Sequence, residues 1–200
     1  MFGNEHQIRD NEIDHVCTET ADDGAIYIGY DPTYRGNLIQ GNFIHDLGGF
    51  SQTDIVGIYL DDFASGTLVE NNRLVRTVRG IAVGEGRDNV ILNNVILESL
   101  AAIQVDARGL TWAKSHIQGP KSRISQLVKQ ALAAEPVFNV RYPELQRLLQ
   151  PEAGLPLGNI IRGNRYDCPI GIDIDGFSEQ LILIEDKHRI DLSDRLSRKH

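Results

Sequence analysis

The chain has 200 residues, 41% apolar and 24% charged, with a formal net charge of −8 at pH 7. That length suits one domain with a substantial core, and the ordinary apolar-to-charged balance excludes disorder as a description of the whole. No apolar run approaches the roughly 20 residues of a transmembrane helix, and the acidic surplus opposes a phosphate-neutralising surface, so neither membrane nor nucleic acid is an expected partner.

The opening, MFGNEHQIRDNEIDHV, lacks a basic n-region followed by an apolar h-region, so no signal peptide is visible. From Ile8 onward the chain repeats itself. An apolar residue followed three positions later by Asn recurs at Ile8/Asn11, Ile39/Asn42, Val69/Asn72, Ile91/Asn94 and Ile161/Asn164, with Leu183/Asp186 as a degraded sixth copy. Two places after each Asn stands another core-type residue: Ile13, Ile44, Leu74, Ile96 and Tyr166. Further on comes a strand of strict alternation, AIYIG (25–29), GIYLD (57–61), GIAVG (80–84), AIQVD (102–106) and GIDID (171–175).

The asparagines stand 31, 30, 22 and 70 residues apart, and Asp186 follows 22 further on. A 22-residue unit with insertions is the coil length of a right-handed parallel β-helix. One coil cannot bury its apolar face alone, so coils stack about 4.8 Å apart around a continuous core. At a bend, an Asn amide can satisfy loop backbone groups and bond the copies above and below. A β-sandwich would not repeat one residue at one bend, and helical repeats would not alternate with period two. The expected fold is all-β: a single-stranded right-handed parallel β-helix of about five to six coils, with residues 1–200 forming one domain.

The 70-residue interval holds a short α-helical insertion, roughly residues 107–157. Within it, SRISQLVKQALAAE (122–135) places Ile124, Leu127, Val128, Ala131 and Leu132 at helical spacing, and Pro136 ends that run. PELQRLLQ (143–150) reads as a second short helix with Pro143 in its first turn. Both are expected to cover one flank of the stack. The polar tail, 187–200, is expected to fray or form a short cap.

Stacking turns equivalent strand positions into files. Ile26/Ile28, Ile58/Leu60, Ile81/Val83, Ile103/Val105 and Ile172/Ile174 point inward. The intervening file, expected to face solvent, reads Tyr27, Tyr59, Ala82, Gln104, Asp173; the next outward file reads Gly29, Asp61, Gly84, Asp106, Asp175. Tyrosines stack on sugar faces while carboxylates bond hydroxyls or move protons, so this face suits a polysaccharide or oligosaccharide. The candidate catalytic residues are Asp61, Asp62, Asp106 and Asp175. The candidate substrate-binding residues are Tyr27, Tyr59, Gln104, Arg108 and Asp173.

Asp106 and Asp175 should have backbones about 4.8 Å apart, and Asp61 and Asp106 roughly 10 Å. Side-chain rotation can bring the latter pair into the ~6.5–9.5 Å range of inverting glycosidases. A stacked Asp106/Asp175 pair should carry one raised pKa. Simpler readings exist: Asp at strand ends caps turn amides, and β-propensity alone accounts for outward tyrosines.

The acidic stretch Asp22, Asp23, Asp31, Asp46, Asp54, Asp61, Asp62 could bind Ca²⁺, but it matches no EF-hand spacing, and no metal ligand is assigned. His45 reads as structural. Gly84-Glu85-Gly86-Arg87 lacks the context of a phosphate loop. Trp112 is either a carbohydrate platform or an anchor for the insertion, with the anchor favoured. Cys17 and Cys168 fit no zinc or redox spacing and can pair or stay reduced.

At GIYLDDFASG (57–66), VGEGRDNVILNN (83–94), DARGLTW (106–112) and YPELQRLLQPEAGLPLGNIIRGN (142–164), the chain resembles bacterial right-handed β-helix proteins of carbohydrate metabolism. Among these it is most similar to the β-helical glycoside hydrolases typified by glycoside hydrolase family 141. The similarity spans about residues 5–186 and includes the YPEL segment of the insertion. It implies hydrolysis of fucosyl or xylosyl linkages without a cofactor, with Asp61, Asp62 and Asp106 lying in the shared stretches. Such relatives are usually longer, and secreted or periplasmic.

Met1 stands just before a repeat, leaving no room for an N-terminal cap. The first coil's open end is therefore expected to favour homo-oligomerisation. Two rival functions stay open. One is a polysaccharide lyase in which Ca²⁺ neutralises a uronate and Arg108 or Lys114 is the base. The other is a non-catalytic carbohydrate-binding or assembly module.

Overall fold

The computed structural model describes residues 1–48, 54–117, 122–134, 136–150, 154–175 and 182–185. Each full coil consists of three short strands. The first comprises β1 (Gln7–Arg9), β2 (Glu12–Asp14) and β3 (Asp23–Ile28). Next come β4 (Leu38–Gln40), β5 (Phe43–His45) and β6 (Ile55–Leu60), then β7 (Leu68–Glu70), β8 (Arg73–Val75) and β9 (Arg79–Gly84). The fourth coil is β10 (Val90–Leu92), β11 (Val95–Leu97) and β12 (Ala101–Asp106). The fifth is β13 (Ile160–Arg162), β14 (Arg165–Tyr166) and β15 (Ile170–Ile174), and β16 (Leu183–Ile184) opens a sixth.

Equivalent strands pair in parallel to give three sheets, ordered β1-β4-β7-β10-β13-β16, β2-β5-β8-β11-β14 and β3-β6-β9-β12-β15. The expected registry holds. Ile8, Ile39, Val69, Ile91 and Ile161 form one file, and Ile13, Ile44, Leu74, Ile96 and Tyr166 another. In the third sheet Ile26, Ile58, Ile81, Ile103 and Ile172 form a file. These side chains make the continuous core that parallel coils must share. At the first coil, Met1 packs against the core, and its ammonium donates to the Tyr27 carbonyl at 2.6 Å.

The sixth copy differs from expectation by one residue. Ile184, not Leu183, pairs with Ile161, and Leu183 is exposed. In a strand, a slip of one residue exchanges inward for outward side chains, so the core selects Ile184. Asp186 and the tail 187–200 lie outside the described residues.

The buried asparagines hold the coils at one height. The side-chain amide of Asn11 donates to Asn42 Oδ1 (2.9 Å), Asn42 to Asn72 (2.9 Å), Asn72 to Asn94 (3.0 Å) and Asn94 to Asn164 (2.9 Å). Each acceptor oxygen also takes the preceding Asn's backbone N–H, and the amides of Asn42, Asn72, Asn94 and Asn164 also donate to strand carbonyls. The residue before each Asn is left-handed, at Asp10, Gly41, Asn71, Asn93 and Gly163, which is why Gly and Asn prevail there.

A second ladder, unforeseen in the sequence reading, precedes the first sheet. His6 N–H donates to Asn37 Oδ1, Thr67 N–H to Asn89 and Asn89 N–H to Asn159, at 2.9–3.0 Å.

The insertion leaves the stack after β12 and returns at β13. It contains a 3₁₀ turn (Arg108–Leu110), α1 (Lys114–Ile117), α2 (Arg123–Ala134), α3 (Val137–Arg141) and a 3₁₀ stretch (Pro143–Leu149). The second expected helix is thus 3₁₀, and Pro136 stands before α3. Ala113, Ile117, Ile124, Val128, Tyr142, Leu145 and Leu148 bury Phe63 of the second coil, so the insertion does cover a flank. Among the described residues no helix is long and apolar enough to cross a membrane.

Replacing Asn72 by Ala strands donors and acceptors on two neighbouring coils, each costing about 1–3 kcal/mol. The expected loss is about 3–5 kcal/mol in a urea unfolding curve. Asn71→Gly, at an exposed left-handed position, should leave the midpoint almost unchanged. Similar midpoints for the two variants would refute the ladder's role.

Candidate functional site

The third sheet ends at Asp61 in the second coil and at Asp106 in the fourth, with glycine at the equivalent place in the first and third. Asp61 follows β6, and Asp62 and Phe63 adopt positive φ of 25° and 68°, swinging the chain away from the stack. Asp106 closes β12 two coils on, and Gly84 stands between, paired with Asp106. A Cβ on Gly84 would come within 2.5 Å of Arg108 Cζ, so the missing side chain is the space the guanidinium fills.

Arg108 bridges three carboxylates from that space. Its Nη1 donates to Asp61 Oδ1 (2.5 Å) and Asp62 Oδ1 (2.7 Å), its Nε to Asp106 Oδ1 (2.9 Å) and its Nη2 to Asp106 Oδ2 (2.7 Å). The Arg108 backbone N–H also donates to Asp106 Oδ1, fixing the turn into the insertion. Burial opposes the guanidinium's charge, but the carboxylates around it hold that charge firmly. Tyr27 donates its hydroxyl to Asp61 Oδ2 at 2.6 Å; burial, then the bond to Asp61, push that phenol far above its ordinary pKa.

Side-chain exposure divides the carboxylates: 8% for Asp61, 10% for Asp62 and 34% for Asp106. Burial raises the pKa of Asp62, the Arg108 contact lowers it, and the neighbouring charge of Asp61 raises it again, for a net rise.

The sequence candidates thus fall into two groups. Tyr27, Tyr59, Asp61, Asp62, Asp106 and Arg108 converge. Gln104 and Asp173 pair in register further along the sheet, and Asp173 is exposed. Asp175 donates its N–H to the Val105 carbonyl, while the Asp106 carboxylate turns to Arg108. Lys114 is exposed on α1. The file expected to face solvent is mostly covered. Tyr59 is 6% exposed, packed with Val56 and Ala82, and its ring meets Tyr27 edge-on with centroids 5.5 Å apart. Trp112 is no anchor: it is 66% exposed, with Arg108 Cζ over its ring at 5.7 Å, while Ala113 and Ile117 do the anchoring.

Apart from Asp61 and Asp62 the acidic stretch does not converge. Asp31 bonds Thr33, Asp46 pairs with Arg76 and His45, and Asp54 with Arg79. Among the described residues no group of three His, Cys, Asp or Glu is arranged to hold a metal ion. Cys17 and Cys168 are both free thiols.

Glu85 is the site residue that sequence reading missed. It is left-handed (φ 59°), buried, and neither carboxyl oxygen has a hydrogen-bond partner. The carboxyl lies beneath Gly109, where any Cβ would collide with it. Burial, then the charge of Asp106, push its pKa up to about 9. Its signal was positional: it shares a file, and a left-handed backbone, with Tyr30 and Asp62.

A family model described as right handed beta helix region matches residues 2–130. The chain belongs to this family. No curated protein and no solved structure matches it. In this right-handed β-helix the matched stretch contains every member of the Arg108 cluster, as well as Glu85 and Trp112.

Glu85 makes stability pH-dependent. Its folded pKa lies above its unfolded one, so its contribution is fully present below about pH 4.5 and is lost as pH rises through about 9. Glu85→Gln copies the neutral acid. It should match the parent in Tm near the lower limit and exceed it by at least about 3 °C at mildly alkaline pH. A constant difference in Tm across that window would show that the carboxyl is not held neutral.

Proposed function

We propose that the protein is a glycan-active hydrolase whose reaction centre is the Arg108-bridged carboxylate cluster. One observation carries the reading. Asp62, raised in pKa by burial, and Asp106, the most exposed of the three, meet one guanidinium from coils two apart. The two carboxyls flank one guanidinium, an acid and a base of the kind that an inverting mechanism pairs.

In that mechanism Asp62 gives its proton to the glycosidic oxygen as the bond to the anomeric carbon breaks. Asp106 takes a proton from water, whose oxygen bonds the anomeric carbon from the opposite face. Arg108 sets the distance between the two, and Tyr27 holds Asp61 beside Asp62 to keep the acid's pKa high. The resemblance to β-helical glycoside hydrolases supports the same reaction class. The lyase reading is less well supported, because Arg108 is saturated by carboxylates and an arginine is not deprotonated in proteins.

The second reading is a non-catalytic carbohydrate-binding module. It is favoured by the burial of Asp61 and Asp62 behind Arg108.

The test is incubation with a panel of neutral oligosaccharides and mass-spectrometric product detection. Hydrolysis is expected, and Asp62→Asn or Asp106→Asn should lower kcat by about 100-fold or more while each variant stays folded at the assay temperature. Binding without products would select the module. Unsaturated products absorbing in the ultraviolet, formed from a uronate polymer, would select the lyase.

A further inference from the structure

We propose that Trp112 and Tyr30 form a stacking platform for a neutral pyranose at the mouth of the Arg108 cluster. The proposal rests on the glycan reading above and adds the class of sugar and the residues that select it.

Two large aromatic side chains are left in solvent beside the buried carboxylates, Trp112 at 66% exposure and Tyr30 at 49%. Each is backed by a guanidinium. Arg108 Cζ lies over the Trp112 ring at 5.7 Å, and Arg123 Cζ lies over the Tyr30 ring at 5.8 Å. His116 meets the indole edge-on, with centroids 6.4 Å apart. A cation on one side of a ring holds it in place and leaves the other side for a ligand. Because the guanidinium behind Trp112 is itself bonded to Asp61, Asp62 and Asp106, the indole is tied to the carboxylates through one group.

Tyr30 is placed with the same economy. Its N–H donates to the Asp62 carbonyl at 3.0 Å, and its backbone is left-handed at φ 69°. The same left-handed turn recurs at Asp62 and Glu85, so the coil sets it, and at Tyr30 it leaves the ring half in water.

Charge selects the sugar. Asp61, Asp62 and Asp106 face one guanidinium, and that guanidinium has its donors taken up by them. At the Asp106 edge a uronate carboxylate would meet three carboxyls and a guanidinium engaged by them, with the exposed Arg123 beside Tyr30 as the nearby cation. A neutral pyranose brings an apolar face to the rings and hydroxyls to the Asp106 edge.

Trp112 is the chain's one tryptophan, so its emission reports this site alone. The full chain is titrated with neutral xylo-, gluco-, manno- and galacto-hexasaccharides and, separately, with hexagalacturonate, by fluorescence and calorimetry. A saturable emission change with a neutral sugar and none with hexagalacturonate is expected. Trp112→Ala and Tyr30→Ala should each weaken calorimetric binding about 5- to 10-fold, and Trp112→Phe should restore most of it.

Binding seen by calorimetry without an emission change overturns the platform. So does preference for hexagalacturonate, unchanged affinity in both alanine variants, or no binding of any neutral sugar. Turnover without an emission change sinks the platform and leaves the hydrolase. An emission change without turnover sinks the hydrolase and leaves the platform.

Discussion

Everything in this molecule depends on keeping successive coils at one height, and a buried amide does that. Asn72 accepts from the backbone and side chain of Asn42 and donates to Asn94 and to the Ile39 carbonyl. Repeated along the stack, this leaves no freedom to slide one coil past the next without stranding donors in a dry interior. Fixed height fixes the strand register, and fixed register places every inward isoleucine on another. The apolar core supplies most of the stabilisation, but apolar contact is non-directional and would tolerate several registers. The amides choose among them, so residues 61, 84 and 106 stand in one file.

The fold was legible because its determinants recur at the same place in each coil. Asn at the bend and alternating Ile in the third strand survive insertions of any length between them. What escaped reading has local causes. Strands of three residues carry too little alternation to reveal that each coil visits three sheets. The ladder of Asn37, Asn89 and Asn159 lies five residues before the first one, but Thr67 and His6 interrupt it. The sixth coil was misplaced by one residue because Leu183 and Ile184 are equally apolar, and only the core distinguishes them.

The site divides along the same line. Asp61 and Asp106 were legible as members of a file, because registry is a property of the repeat. The sequence offers Arg108 as a substrate-binding residue or a lyase base, and its bridging of the carboxylates is what the spacing does not show. Its reach back across Gly84 to the second coil depends on an absent side chain and on the turn that Asp106 sets. Tyr59 was read as outward, which it is, but outward differs from open once Val56, Ala82 and Tyr27 pack beside it. Glu85 was hidden by its left-handed backbone, which puts it beneath the insertion.

The electrostatics of the site follow from that glycine. A side chain in the file at position 84 would fill the gap, and Asp61, Asp62 and Asp106 would be brought together with no cation among them. Removing it admits one planar group able to bond in several directions, and arginine suits this where lysine, a point charge, does not. Arg108 does not neutralise all of these carboxyls, and burial falls hardest on Glu85, whose pKa is pushed up to about 9 against the opposing charges of Arg108 and Arg87. Asp62, less buried and in contact with Arg108, is shifted in the same direction but opposed by that contact. Asp106 keeps the greatest access to solvent. A graded set of carboxyls, from protonated interior to exposed edge, is what one missing side chain in an otherwise strict stack produces. Proton-transfer chemistry at a sugar needs such a gradient, and a uniform file of aspartates would not supply it.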